Sequence, residues 1–390
     1  MPKARYLLAV LSLIAALGIQ PAASEEPDAT PAPRGPQVRE LSAQGLKAIE
    51  KGLAWLAEEQ LEDGSWKANV GYKLNHTYVV EATDTGHPGV SALAGIAFLA
   101  GGNIPGRGRY GRNVEAAVDY ILTCVNPDGM ISKNGSRMYS HAFATLFLAE
   151  VYGMTRDVEV KNALERATAF TWKCQNQNGA WRYAPYAQDS DMSITVCQVM
   201  ALRAARNIGI RIPKESIDRA VNYVLRSAIT DPRDEDNLGS FKYQYRLQNI
   251  IRTRSSFALT AAGLTTLYSA GLYTDQDILA HIREHKLTHY LREAPPPRIG
   301  PILDYLHSRY LTTTRAHYYY FYGNYYAVQA MFIAGGNDWE RYFTRVQYDL
   351  VRSQEEDGHW PIKQVGDVFS TAAACLILQI PYRYLPIFQR

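Results

Sequence analysis

The sequence is poor in the features that define several protein classes. Its four cysteines are scattered through 390 residues without a Cys-x-x-Cys pair, so neither a zinc ribbon nor a dense disulfide framework is indicated. Buried free thiols are expected, with a Cys124–Cys174 disulfide as the alternative. The charges nearly cancel, at 41 basic against 38 acidic residues, and no concentrated basic face indicates nucleic-acid binding. Past the N-terminal segment, no apolar run reaches the roughly 18 residues that a transmembrane segment needs.

Residues 1–24 have the pattern of a secretory signal peptide. Two basic residues precede an apolar stretch, and the small residues Ala22 and Ser24 follow it at the spacing of a cleavage site. Segment 25–40 is rich in proline and charge and poor in large apolar residues, which is typical of a flexible leader. We therefore expect an exported protein, periplasmic or secreted, whose residues 41–390 form the fold.

One short pattern, Gln-x-x-x-Gly-x-Trp, organises the rest of the chain. Its three full copies are Gln60, Gly64 and Trp66; Gln175, Gly179 and Trp181; and Gln354, Gly358 and Trp360. Weaker copies centre on Gly129, Gly239 and Gly300. The glycines recur about every 60 residues, which predicts about six repeat units.

Each unit contains two segments with different helical patterns. The segment before the motif is amphipathic, as expected for an outer helix, and the segment after it is apolar on nearly all sides, as expected for a buried one. No stretch shows the two-residue period of a strand. The sequence therefore predicts an all-α fold, an (α/α)6 toroid of six inner and six outer helices around a central cavity. In such a ring the N-terminal ends of the inner helices, with their unpaired N–H groups, share one face.

The repeat resembles that of squalene and hopene cyclases and of protein prenyltransferase β subunits, over about residues 43–380. The resemblance implies that the motif is a structural clasp, in which the Gln side chain binds neighbouring backbone and the Trp ring packs on an adjacent helix. The residue types suit this role, because Gly adopts turn dihedrals that other residues avoid and Trp combines a large apolar body with one donor.

The same resemblance draws attention to the string DSDMS. Class II terpene cyclases carry Asp-x-Asp-Asp after one such Trp, and here Asp189 and Asp191 match its first and third positions while Met192 departs from the fourth. The resemblance implies that Asp191 is a general acid, with Asp189 raising its proton affinity through like charge. The other interpretation is local, since Asp191 or Ser193 also suits the N-cap of the following helix.

Two sequence patterns bear on metal binding. The Asp-x-Cys zinc signature of prenyltransferases is absent from the chain, and no cofactor is indicated. His281, His285 and His289 lie four residues apart, which suits either a metal bound by two imidazoles or a solvated face of an outer helix. The second interpretation is favoured because no carboxylate accompanies them in an HExxH arrangement.

Further candidates lie at the predicted starts of inner helices, where the toroid gathers residues distant in sequence. They are His87, His141, Asp191, Arg254 and His317 at the rim, and Tyr318, Tyr322 and Tyr325 on one helix face toward the cavity. Aromatic faces stabilise cations, and tyrosine hydroxyls equally suit sugars or peptides.

Three functions remain open from the sequence. The first is an exported, proton-initiated cyclase or isomerase acting on an isoprenoid or other apolar substrate, with Asp191 as the donor. The second is a toroid without catalysis that binds a lipid, a glycan or a protein at its rim. The third is a glycan lyase or hydrolase, in which a carboxylate and a His or Tyr share the proton transfers.

Overall fold

The computed structural model of the protein describes residues 41–74, 77–245, 255–287, 290, 294–310, 318–382 and 385. The predicted signal peptide and leader, together with the candidates Arg254, His289 and His317, lie outside the described residues. None of the described helices is long and apolar enough to cross a membrane.

Thirteen α-helices occur in the described residues and form two layers. The inner helices are α2 (Pro88–Ala100), α4 (Met138–Thr155), α6 (Met192–Asn207), α8 (Phe257–Ser269), α11 (Tyr318–Ala334) and α13 (Asp367–Gln379). The outer helices are α1 (Ala43–Glu58), α3 (Gly111–Thr123), α5 (Val158–Lys173), α7 (Lys214–Ser227), α10 (Ile299–Tyr310) and α12 (Gly336–Ser353). An additional helix, α9 (Asp275–Glu284), follows α8, and a short 3-10 helix, Ile380–Tyr382, follows α13.

The inner helices form a closed ring. Each packs against the next, and α13 packs back against α2. Small residues allow this close approach: a side chain at Gly95 of α2 would lie 2.6 Å from the ring of Phe147 in α4. Every residue of α2 is buried, as its nearly uniform apolar composition requires. The predicted (α/α)6 toroid is confirmed.

The recurring motif joins neighbouring repeats through hydrogen bonds to backbone. The Gln175 side chain donates to the carbonyl oxygens of Gly179 at 2.9 Å and of Ser216 in α7 at 2.8 Å. The indole N–H of Trp181 donates to the carbonyl of Thr171 at 2.8 Å, at the end of α5. One turn is thereby fixed to the outer helix before it and to the next outer helix along the chain.

The last copy of the motif closes the outer layer. The Gln354 side chain donates to the carbonyl of Ala48 in α1 at 2.8 Å, as Gln60 does to Asn113 in α3 at 2.9 Å. Because α1 and α12 are the two ends of the outer series, this bond connects the first repeat to the last. At each of its three complete copies, the motif therefore connects two neighbouring outer helices, as expected for a clasp.

The weaker copy at Gly300 was wrongly placed. Gly129 and Gly239 occupy motif turns with φ of 95° and 83°, but Gly300 lies in the first turn of α10, an outer helix. The additional helix α9 lengthens the chain ahead of α10. A regular 60-residue count therefore reaches the beginning of the fifth outer helix instead of a position beyond its end.

A β-hairpin contradicts the expectation of no strands. Strands β1 (Lys67–Leu74) and β2 (Thr77–Gly86) pair antiparallel between Trp66 and α2. The amide of Asn69 donates to the carbonyl of Val365 ahead of α13, and Glu81 pairs with Arg137 at the start of α4 at 3.0 Å. The hairpin is an insertion on the face that carries the N-terminal ends of the inner helices.

The four cysteines are free and buried. The expected free thiols are therefore present, and the alternative disulfide between Cys124 and Cys174 is not formed.

Candidate functional site

Asp191 caps the N-terminus of inner helix α6. Its Oδ1 accepts hydrogen bonds from the amides of Ser193 at 2.7 Å and Ile194 at 3.3 Å, and from the Ser193 hydroxyl at 2.5 Å. The side chain is fully enclosed, with 0% exposure. The N-cap interpretation therefore describes its contacts.

Arg182 occupies the space between the two aspartates of DSDMS. Its Nη1 lies 3.5 Å from Oδ2 of Asp191, and its Nε lies 3.2 Å from Oδ2 of Asp189. Burial lowers the pKa of Arg182, but the two carboxylates outweigh this and raise it. Both oxygens of Asp191 thus act as acceptors, whereas a general acid must present a proton to its substrate.

Tyrosines surround this ion pair. The Arg182 guanidinium lies over the ring of Tyr183, 4.9 Å from its centroid, and 5.9 Å from that of Tyr243, and the hydroxyls of these two residues hydrogen-bond to each other. The Tyr139 hydroxyl donates to Oγ of Ser193 at 2.7 Å. Six partly exposed side chains form a group that we call the mouth: Tyr139, Tyr183, Tyr243, Tyr322, Arg182 and Asp189.

The tyrosines of the mouth are neutral hydroxyls. Desolvation raises the pKa of all four phenols, and the charge of Asp191 raises each further. A phenol with a raised pKa serves as a hydrogen-bond donor and acceptor at neutral pH and not as a base.

From the mouth inward, aromatic side chains fill the axis of the ring. Helices α4 and α11 stand on opposite sides, yet Tyr139 and Tyr322 have centroids 6.3 Å apart, and Phe143 and Tyr325 are 5.9 Å apart. The hydroxyl of Tyr326 lies 3.0 Å from Sγ of Cys197 in α6. Of the three tyrosines expected on one helix face, Tyr322 and Tyr325 extend from α11 toward α4, and their rings stand at this level where a central cavity was expected. The side chain of Tyr318 lies outside the described residues.

Two of the histidines expected at the rim, His87 and His141, have structural contacts. Nδ1 of His87 accepts from the amide of Val90 at 3.3 Å and so caps α2. His141 is fully buried; its Nδ1 accepts from the Ile131 amide at 3.0 Å, and its Nε2 lies 2.8 Å from Oγ1 of Thr171 in α5. Burial lowers the pKa of His141 to about 4. His141 therefore joins the inner layer to the outer one and is not accessible at the mouth.

His141 should make stability depend on pH. Its pKa falls from 6.5 to about 4 on folding, so between these values the unfolded chain binds a proton that the folded chain does not. The free energy of unfolding should fall as pH drops from 6.5 to 4, with a contribution of at most about 1.4 kcal/mol per pH unit. Urea unfolding measured at several pH values in this range should show that the free energy of unfolding changes less with pH in His141→Asn than in the wild type. An equal pH dependence in the two proteins would contradict the assignment.

Of the three histidines considered for a metal face, His281 lies in α9 and His285 caps its C-terminal end. The rings of His281 and His285 lie 4.2 Å apart, and Nε2 of His281 contacts Oδ1 of Asn222 at 2.8 Å. Burial and then the neighbouring His285 lower the pKa of His281 to about 4. Within the described residues, no group of three or more His, Cys, Asp or Glu side chains could hold a metal ion.

Sequence reasoning missed most of the mouth. Arg182 and Tyr183 directly follow Trp181, a position that was assigned to the clasp alone, and Tyr139 stands two residues before His141. The signal was a charged residue and an aromatic one immediately after a motif Trp, close to two aspartates. Tyr243 comes from the next repeat along the chain, and the packing of these two repeats brings it to this place.

Comparisons with known proteins support the fold. No family model matches the chain, and no curated protein matches it. The α-1,6-mannanase of glycoside hydrolase family 76 from Salegentibacter sp. HEL1_6 superposes with a TM-score of 0.59 at 10% identity, over 87% of this chain and 99% of that one. A family 76 mannosidase from Bacteroides thetaiotaomicron gives 0.59 at 9% identity, over 87% and 97%.

A second kind of toroid also superposes. The type II terpene cyclase MstE from Scytonema, as a variant bound to geranylgeranyl dihydroxybenzoate, gives a TM-score of 0.53 at 12% identity, over 88% of this chain and 98% of that one. Glycan-active enzymes and a terpene cyclase therefore share this architecture. At such identities the likeness establishes the α/α toroid fold and leaves the function to the site.

Proposed function

We propose that the protein is an exported α/α toroid that binds a glycan at the mouth. The observation that carries the proposal is the enclosure of Asp191: with 0% exposure and both oxygens accepting, it positions Ser193 and Arg182 and does not meet a ligand. The groups left to a ligand are tyrosine rings, tyrosine hydroxyls and the Arg182–Asp189 ion pair.

These groups suit both the apolar C–H face and the polar hydroxyls of a sugar. The rings of Tyr183 and Tyr243 offer apolar faces with hydroxyls at their edges, which match the C–H face and the hydroxyl rim of a pyranose. Arg182 contributes N–H donors and Asp189 contributes acceptors; Arg182 pairs with both Asp189 and Asp191. A pre-arranged polar set of this kind binds at a lower entropic cost than mobile side chains.

The structural comparisons agree with a glycan ligand. An inactive variant of the Salegentibacter mannanase was solved with α-1,6-mannotriose, and its TM-score to this chain is 0.58. The likeness is one of fold, so it supplies probes for experiment and no residue roles.

Proton-initiated cyclisation is the second candidate. It is favoured by the retained Asp189 and Asp191 and by the aromatic residues Tyr322 and Tyr325 on the ring axis. Against it, Asp191 caps a helix and faces Arg182, and packed rings stand where an isoprenoid chain would lie. Glycan hydrolysis or lysis is a further outcome at the same mouth, with Asp189 as the exposed carboxylate.

Binding is the direct test. Isothermal titration of the mature protein with neutral oligosaccharides, beginning with α-1,6-mannotriose and maltotriose, should give saturable binding. Arg182→Gln and Tyr243→Leu should each weaken it roughly tenfold, because one removes charged donors and the other a stacking face. Arg345→Gln is the matched control, because Arg345 pairs with Asp349 at 3.5 Å on the outer helix α12, and it should leave affinity unchanged.

The competing functions are read in parallel. The same oligosaccharides after overnight incubation report hydrolysis or lysis, and linear isoprenoids such as squalene, analysed by gas chromatography with mass detection, report cyclisation. An isomeric squalene product that disappears in Asp191→Asn, together with absent glycan binding, would overturn the proposal in favour of the cyclase.

A further inference from the structure

We infer that the mouth selects uncharged glycans over carboxylated ones and that Asp189 determines this selectivity. The inference rests on the proposed function and goes beyond it by naming the class of glycan and the residue that excludes the other class. It follows from the charges at the mouth and from the way in which its one arginine is engaged.

Arginine is the side chain that usually recognises a carboxylate, through two parallel N–H donors. Here Nε of Arg182 faces Oδ2 of Asp189 at 3.2 Å, and Nη1 faces both Oδ2 of Asp191 and the carbonyl of Ser190, at 3.5 and 3.4 Å. A fork on a uronic acid uses Nη2 together with either Nε or Nη1, and each of these two nitrogens already faces an acceptor of the chain. An acidic sugar that binds through a fork must therefore displace one of these contacts.

The charge balance acts in the same direction. One guanidinium stands against two carboxylates, so the Arg182 cluster carries a net negative charge. Its influence reaches the tyrosines, since Asp191 raises the pKa of all four phenols of the mouth. A carboxylate bound among these rings would meet the same repulsion, whereas a neutral sugar would not.

Asp189 is the member of this cluster that a ligand reaches. Its side chain is 44% exposed, while that of Asp191 is 0% exposed. Changing Asp189 to Asn keeps the size of the side chain, removes one negative charge and weakens the contact with Nε of Arg182, because an amide oxygen is a weaker acceptor for a guanidinium than a carboxylate is. The charges of Arg182 and Asp191 then balance, and the new amide adds N–H donors at the mouth. The substitution should therefore raise the affinity for acidic glycans relative to the affinity for neutral ones.

The test compares two ligands of equal length, a neutral oligosaccharide that the wild type binds and a uronic-acid oligomer such as trigalacturonate. For the wild type, we expect the uronic-acid oligomer to bind at least about fivefold more weakly at low salt, and the difference to shrink in 0.5 M NaCl as charges are screened. Asp189→Asn should reduce or reverse this ratio. Glu165→Gln, which removes a negative charge paired with Lys161 on the outer face of α5, should leave it unchanged.

The outcomes separate the two proposals. Equal binding of both oligomers by the wild type, or a ratio that Asp189→Asn does not alter, would overturn the charge selectivity and leave glycan binding intact. Binding of neither oligomer would overturn glycan binding and the selectivity with it. Salt dependence of the ratio distinguishes an electrostatic role of Asp189 from a loss of shape, because a structural change would persist in 0.5 M NaCl.

Discussion

Gly64→Ala should lower the free energy of unfolding by about 3 to 5 kcal/mol, because it combines backbone strain with overpacking. Gly64 has a φ of 82°, a region that side chains disfavour. A Cβ there would lie 2.0 Å from the carbonyl oxygen of Ala116 in α3, a backbone atom that cannot move without opening the clasp. The loss should appear as a lower midpoint in urea unfolding followed by circular dichroism.

Gly271 is a matched control for this substitution. It has the same φ of 82°, but nothing lies within 4 Å of its Cβ position, so Gly271→Ala should show the strain alone, about 1 to 2 kcal/mol. The difference between the two variants measures the contact between neighbouring repeats. If both variants lose the same amount, the close approach of the turn to α3 contributes nothing to stability.

The part of the fold that could be predicted is the part that repeats. Gln175, Gly179 and Trp181 each have a local structural role within a single turn. Because the same three residue types recur in three turns, they reveal the repeat. The hairpin at 67–86 and the additional helix α9 occur once each, so no second copy identified them. The error at Gly300 has the same origin, since a regular period cannot reveal an insertion within it.

The candidate site was predictable only along single helices. Tyr322 and Tyr325 follow from the spacing of residues on α11, and Asp191 follows from its place before α6. Arg182 and Tyr243 come from the turns of two consecutive repeats, and their contact depends on how these repeats pack. His141 was misjudged for a different reason. Its position at the start of a helix does not show whether the side chain turns to the axis or to the outer layer.

The aspartate pair illustrates how one sequence signal serves two physical roles. A carboxylate before a buried helix accepts first-turn amides in any toroid of this kind, and the same place lies beside the ring axis, where a catalytic acid is needed. What separates the roles is the second oxygen. In this protein the second oxygen faces Arg182. This ion pair joins the two ends of the loop between Trp181 and α6.

Asp191→Ala should consequently be severe for stability, at about 3 kcal/mol, because it removes an N-cap and one partner of a buried ion pair. Asp191→Asn should lose less, about 1 to 2 kcal/mol, since an amide oxygen still caps α6 but no longer balances Arg182. Urea unfolding measures both changes. Any loss of function in Asp191→Asn has to be compared with its folded fraction under the assay conditions.

Asp157 provides the control for the cap alone. It accepts from the amides of Glu159 at 2.8 Å and Val160 at 3.0 Å at the start of outer helix α5, which is the same pair of contacts at an exposed position. Asp157→Ala should cost about 1 kcal/mol. Equal losses for Asp157→Ala and Asp191→Ala would mean that burial and Arg182 add nothing. A larger loss at Asp191, reduced when Arg182 is already Gln, would assign the difference to the ion pair.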